Sequence, residues 1–143
     1  MKTVKMAIAT MSLIVLSTPL LAAGFDGKTN LLCTATEIYE CDAAHGCRVL
    51  DAENAYHMQH LMVDVKNKNI SLAHLETGFS STIERVETVE DKLVFQGIEA
   101  GTPDQGDGGG WTVTVDNRYG SMVFAMSGNG YSFNGFGGCV PAR

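Results

Sequence analysis

A pair of alternating segments joined by a turn, between residues 111 and 126, constrains the fold more than any other part of the chain. Apolar residues occupy every second position of both segments, which is the period of strands with one buried and one solvated face. These residues are Trp111, Val113, Val115, Met122, Phe124 and Met126. Between the segments, Asp116 and Asn117 can bond back to nearby backbone, and Gly120 can adopt the positive φ of a hairpin bulge. The stretch therefore predicts a β-hairpin with Asp116 on the solvated face.

The remainder of the chain contains weaker versions of the same pattern. Strands are predicted over 31–40, 48–50, 60–66 and 70–72, in a third hairpin within 80–99, and from 131 to 139. Ile83, Val86 and Val89 lie three residues apart, which suits a helical turn or a bulged strand, and the β-branched residues around them favour the strand. Residues 101–110 are rich in glycine and predict a flexible loop.

Successive hairpins favour a meander, and closing a meander into a barrel removes its exposed edges. We therefore expect an all-β fold, a small antiparallel up-and-down barrel of about eight strands closed by disulfides. A β-sandwich is the alternative. Residues 24–143, about 120 residues, have the length of a single domain.

Residues 1–23 have the layout of a secretory signal peptide. Lys2 and Lys5 form a basic start, residues 6–16 are an uncharged apolar run, and small residues follow at 22–24. Cleavage after residue 22, 23 or 24 is equally compatible with this pattern. The apolar run is shorter than the roughly 20 residues of a membrane span. We expect a periplasmic or secreted protein without a membrane span after cleavage.

The charge of the chain argues against two classes of partner. Without the leader, eight basic and 16 acidic residues remain, a net charge of −8. Because no Lys/Arg cluster survives, nucleic acid and anionic membrane surfaces are poor partners. A cationic protein is a physically sensible partner, and the alternative is that the negative charge only keeps an exported protein soluble.

Four cysteines in a chain predicted to be exported indicate disulfides. Three connectivities are possible, and we favour Cys41–Cys47 together with Cys33–Cys139. The first bridge closes a small loop, and the second ties the first strand to the end of the chain. A metal site formed by Cys41, His45 and Cys47 is a weaker alternative, because the spacing is not a usual zinc pattern.

Signatures of catalysis are missing from the sequence. It contains no G-x-S-x-G and no H-E-x-x-H motif, and the favoured pairing leaves no free cysteine. The four histidines lie at positions 45, 57, 60 and 74. None of them is spaced from a Ser or Cys in a way that indicates a catalytic pair. We expect no catalytic residues and no enzyme activity.

One cluster could bind a metal. If the strand around residue 60 begins by residue 58, then Met58, His60 and Met62 share one face. Thioether and imidazole ligands of this kind select Cu(I). The alternative is that the methionines fill irregular apolar surface. We therefore expect no cofactor, with copper as the alternative.

Aromatic residues late in the chain could line a cavity in the barrel. They are Trp111, Tyr131, Phe133 and Phe136. An eight-stranded barrel is just wide enough to be filled by side chains or to hold one small ligand. The residues therefore fit either an ordinary core or a ligand site.

The chain reads S-G-x-x-Y from Ser127 through Gly128 to Tyr131. Here it resembles the periplasmic inhibitors of C-type lysozyme, which are small exported eight-stranded barrels with a disulfide near the C-terminal end. In that family the loop enters the lysozyme cleft and the serine touches the catalytic carboxylates, so the resemblance implies a partner-binding role for Ser127, Gly128 and Tyr131. The family's lysine contact has no counterpart, because no lysine follows the motif.

The overall composition also resembles small uncharacterised exported bacterial β-barrel proteins. The likeness lies in a cysteine-bearing first strand, successive hairpins and a Phe-Gly-Gly-Cys end at 136–139. It implies the fold and no particular activity. The sequence thus predicts an exported, disulfide-linked binding protein that is not an enzyme, with lysozyme inhibition and copper binding as alternative functions.

Overall fold

The computed structural model of the protein describes residues 24–56, 58–73, 80–101 and 108–142. Within these residues the chain forms ten strands and one short helix. Their bounds are β1 Leu31–Asp42, β2 Gly46–Val49, α1 Ala52–Tyr56, β3 His60–Asp64, β4 Asn69–Leu72, β5 Ser80–Thr82, β6 Arg85–Val89, β7 Lys92–Glu99, β8 Gly109–Asp116, β9 Ser121–Gly128 and β10 Tyr131–Pro141. The predicted signal peptide and most of the predicted loop 101–110 lie outside the described residues.

All ten strands belong to one antiparallel sheet, which confirms the predicted all-β class. Nine of them follow in the order β5-β4-β3-β1-β10-β9-β8-β7-β6, and β2 pairs with β1 beside this path. Most consecutive strands pair as hairpins, as expected for a meander, although β2 does not pair with β3 and β5 does not pair with β6. β1 meets β10 in the middle of the order. Among the described residues there is no second sheet, so the sandwich alternative is wrong.

The barrel is open rather than closed, contrary to the prediction. The two ends of the sheet, β5 and β6, are separated only by Ile83 and Glu84. The Ile83 N–H donates to the Lys68 carbonyl on the β4 side, whereas the Glu84 N–H donates to the Gln96 carbonyl on the β7 side. The chain changes partners between these two residues, so the ladder is interrupted there and the sheet forms a half-barrel.

Both predicted disulfides are present, but neither closes an edge of the sheet. Cys33–Cys139 links directly opposed residues of β1 and β10, in the middle of the sheet. Cys41–Cys47 links β1 to β2 in the same way. The bridges therefore reinforce pairs of strands that the backbone ladder already joins.

The hairpin predicted between residues 111 and 126 is present as β8 and β9. Trp111, Val113 and Val115 are buried, and the register pairs them with Met126, Phe124 and Met122. Their side chains share the concave face of the half-barrel and form most of its core on this side.

The turn of this hairpin is held by the Asp116 carboxylate, which is buried rather than solvated as predicted. It accepts hydrogen bonds from the Arg118 and Tyr119 N–H groups at 2.9 and 3.0 Å and from the Lys92 ammonium at 2.7 Å. The hydrogen bond from Lys92, followed by the backbone bonds, lowers the pKa of Asp116 to about 2. Gly120 has the predicted positive φ, 72°.

Candidate ligand-binding cavity

A cavity of about 210 Å³ lies against the concave face of the half-barrel. One wall, which we call the aromatic wall, comes from β8, β9 and β10 and consists of Trp111, Phe124, Met126 and Phe133. The other, the aliphatic wall, comes from β3 and β4 and consists of Leu61, Ile70 and Leu72. In the sheet, β1 lies between these two groups of strands, so the curvature of the sheet brings the two walls together.

The cavity has a buried floor and a half-exposed mouth. Trp111 and Phe124 are 6% and 5% exposed, and Leu61 is 7% exposed. Met58, Leu72, Met126 and Phe133 are half-buried and pack against the core. A ligand could enter between these half-buried side chains.

Two glycines hold the aromatic rings in position. A side chain at Gly97 in β7 would overlap the Trp111 indole, and a side chain at Gly135 in β10 would overlap the Phe124 ring. Each ring therefore lies over the backbone of a neighbouring strand, which is a common reason for glycine inside a strand. Because the rings spread over these strands, space remains between the aromatic and aliphatic walls.

The indole of Trp111 is also fixed by a hydrogen bond. Its Nε1–H donates to the Ser81 hydroxyl at 2.8 Å, and this hydroxyl donates to the Ile98 carbonyl at 3.1 Å. Ser81 is 4% exposed, so the pair is shielded from water. The polar group of the largest wall residue is thus bound within the protein.

No Asp, Glu, Lys, Arg or His is among the described residues that line the cavity. Thr112 is a polar lining residue, but the alternation of β8 places its side chain on the convex face, where the Gln96 amide donates to it at 3.5 Å. The site is therefore suited to hold an apolar molecule and offers no general acid, general base or nucleophile from these residues.

The four aromatic residues predicted for a cavity separate into two groups. Trp111 and Phe133 line the cavity, and Tyr131 contacts the Phe133 ring edge-on, with centroids 5.4 Å apart. Phe136 is exposed on the convex face, where it packs edge-on against Tyr39.

The structure does not bring the three predicted copper ligands onto one face. β3 begins at His60, so its alternation does not extend back to Met58. Met58 lines the cavity with Leu61, whereas His60 and Met62 lie on the opposite face of β3. The Nδ1 atom of His60 lies 3.1 Å from the Thr34 hydroxyl. Within the described part of the chain, no three or more His, Cys, Asp or Glu side chains are grouped so that they could hold a metal ion.

The S-G-x-x-Y segment forms a tight two-residue hairpin between β9 and β10. Gly128 pairs with Tyr131, and the residues between them, Asn129 and Gly130, have φ values of 50° and 85°. These angles are those of a type I′ turn. Ser127 is exposed and lies at the end of β9, opposite Ser132. The lysozyme-binding role of Ser127, Gly128 and Tyr131 stays a prediction.

The sequence left open whether the late aromatic residues form a core or line a cavity, and it did not indicate the aliphatic wall. Gly97 and Gly135 fall on the apolar side of their strands, and an inward glycine in a strand indicates that a neighbouring side chain covers it. The packing of β3 and β4 against β8 and β9 has no such signal, because these strands are far apart in the chain.

Comparison with protein-family models, with curated proteins and with solved structures gives no match. Among the described residues, no helix has both the length and the apolar character needed to cross a membrane.

Proposed function

We propose that this chain is an exported, non-catalytic binding protein that holds a small apolar molecule in the half-barrel cavity. The observation that carries this proposal is the cavity itself, a space of about 210 Å³ between an aromatic and an aliphatic wall. Well-packed cores contain few voids larger than a water molecule. Gly97 and Gly135 allow two wall rings to lie close against neighbouring strands, which is compatible with space remaining between the walls and supports a role for the cavity in binding.

Export is supported by the leader-like residues 1–23 and by the two disulfides, which persist in oxidising compartments. N-terminal sequencing of the exported protein should place the first residue at position 23, 24 or 25. An N-terminus at residue 1 would contradict the signal-peptide interpretation.

The expected affinity for a small test ligand follows from the size of the cavity. An engineered apolar cavity of about 150 Å³ binds benzene, so at the same density this cavity takes about eight non-hydrogen atoms. At ~0.8 kcal/mol per buried carbon group, the gross gain is about 6 kcal/mol. After the cost of immobilising the ligand, a net gain of about 0.5–0.7 kcal/mol per non-hydrogen atom lies within the range of small-ligand efficiencies and corresponds to a Kd of about 0.1–1 mM.

Trp111 is the single tryptophan of the chain and lines the cavity, so its emission reports directly on binding. We would titrate the mature protein with toluene and record Trp111 emission and the heat of binding. A saturable change in both is expected.

Two variants on neighbouring strands provide a matched control. Val113→Phe places a larger side chain into the cavity, whereas Val123→Phe makes the same change on the convex face, where Val123 is 44% exposed. Binding should disappear in Val113→Phe and remain in Val123→Phe, with both proteins folded by circular dichroism. If toluene binds neither the wild type nor Val123→Phe, or binds Val113→Phe as tightly as the wild type, the cavity is not the site.

A further inference from the structure

The chemical class of the ligand follows from the hydrogen bonds beside the cavity. The indole N–H of Trp111 already donates to Ser81, and the Ser81 hydroxyl already donates to the Ile98 carbonyl. A ligand therefore finds no free donor on this ring. The Thr112 hydroxyl is directed to the other face of the sheet. A ligand hydroxyl or amide buried here would lose its bonds to water without replacement, which is unfavourable.

The aromatic wall adds a preference for flat rings. Trp111, Phe124 and Phe133 present aromatic surface to the cavity. Contacts between aromatic rings are more favourable than the buried area alone would give. Met58 and Met126 add thioether sulfur atoms, which make favourable contacts with aromatic rings.

The position of this wall is set by rigid contacts. Gly97 and Gly135 leave room for the Trp111 and Phe124 rings against the strands, and the hydrogen bond to Ser81 fixes the indole. The wall is thus preorganised, so a ligand that matches it pays little to order it.

We propose that the cavity selects a single neutral aromatic ring, with about eight non-hydrogen atoms and no hydrogen-bonding group in its buried part. This inference rests on the proposed function, because it names the ligand class of the same site. It goes beyond it by predicting discrimination between molecules of equal size.

Three test ligands, each with seven non-hydrogen atoms, separate the effect of a flat ring from the effect of a hydrogen-bonding group. Toluene is flat and apolar, phenol is flat and carries a hydroxyl, and methylcyclohexane is apolar and not flat. We would measure the affinity of each for the mature protein by calorimetry, with Val113→Phe and Val123→Phe as the controls defined above.

Toluene should bind about tenfold to a hundredfold more tightly than phenol, because the phenol hydroxyl is buried without a partner. It should also bind at least about threefold more tightly than methylcyclohexane, because only the flat ring gains the contacts of the aromatic wall. Equal binding of phenol and toluene would overturn the inference, and so would tighter binding of methylcyclohexane. Either result leaves the proposed function standing, whereas failure of all three ligands removes both.

A further variant tests the cause of the discrimination. Val113→Thr keeps the shape of the side chain and introduces a hydroxyl into the wall. If phenol binds weakly because its hydroxyl has no hydrogen-bond partner, the ratio of the toluene affinity to the phenol affinity should fall by about tenfold in this variant. A ratio that stays at the wild-type value, in a variant that still binds toluene, would show that the missing partner is not the cause.

Discussion

Replacing Cys33 and Cys139 by alanine is expected to destabilise the protein about twice as much as the same replacement of Cys41 and Cys47. The bridged residues are 106 positions apart in the first pair and six apart in the second. In the chain-entropy model, loss of the bridge costs about 4.8 kcal/mol for the long loop and about 2.4 kcal/mol for the short one.

Burial acts in the same direction. Cys33 and Cys139 are 0% and 6% exposed, so removing their sulfur atoms leaves a void in the core, whereas Cys47 is exposed. Cavity formation adds a cost that grows with the volume lost. The free energy of unfolding should therefore fall by somewhat more than the chain-entropy model gives in the Cys33/Cys139 variant. In the Cys41/Cys47 variant it should fall by no more than that model gives.

The assay is equilibrium unfolding of the mature protein in urea, without reductant, followed by far-ultraviolet circular dichroism. Both double variants and the variant lacking all four cysteines would be compared with the wild type. Domains are stable by about 5–15 kcal/mol. If the wild type lies at the lower end of this range, the Cys33/Cys139 variant should be unfolded without urea, and otherwise its free energy of unfolding can be measured. A Cys41/Cys47 variant that is destabilised as much as or more than the Cys33/Cys139 variant would refute the reasoning.

Two further predictions concern the hairpin turn and the aromatic wall. The lowered pKa of Asp116 means that its contribution to stability is complete above about pH 4 and is lost as the pH falls towards about 2, so Asp116→Asn should make the acid loss of stability shallower. Thermal unfolding of both proteins between these pH values checks this, and an unchanged acid slope would contradict it. Gly135→Ala should cost about 1–3 kcal/mol and weaken toluene binding, because the new Cβ overlaps the Phe124 ring and pushes it from its place. Gly110→Ala is the matched control, since a Cβ there meets nothing within 4 Å, and a similar loss in both variants would argue against this explanation.

Local chemistry was enough to predict the elements of the fold. The alternation in β8 and β9 identified the faces of this hairpin, and Gly120 and Asn129–Gly130 have the positive φ values that tight turns require. The favoured cysteine pairing is correct, since one bridge closes a short loop and the other ties the first strand to the end of the chain. The second bridge was expected to close a barrel, whereas it joins neighbouring strands in the middle of the open sheet. The hairpins, the tight turns and the short bridge depend on residues close in the chain or on the period of a strand, so they are readable without coordinates.

The prediction of a closed barrel was wrong for a reason that spacing cannot reveal. Ile83 is buried between β5 and β6, where the hydrogen-bonding partner of the chain changes from the β4 side to the β7 side, while Val86 and Val89 are exposed. The spacing of three residues between Ile83, Val86 and Val89 indicated an irregular strand, as expected. It did not indicate that the strand changes its hydrogen-bonding partner. Which carbonyl accepts each N–H depends on the curvature of the entire sheet.

The sequence by itself determined the all-β class, the hairpins and most turns of this protein, because period-two alternation and turn residues act over a few positions. Only the tertiary structure decided that the barrel is open, that Met58 lies apart from His60 and Met62, and that a cavity exists. The cavity arises where β3 and β4 come to lie across from β8 and β9. That approach depends on the twist and curvature accumulated over the intervening strands, and no local pattern in the chain encodes it.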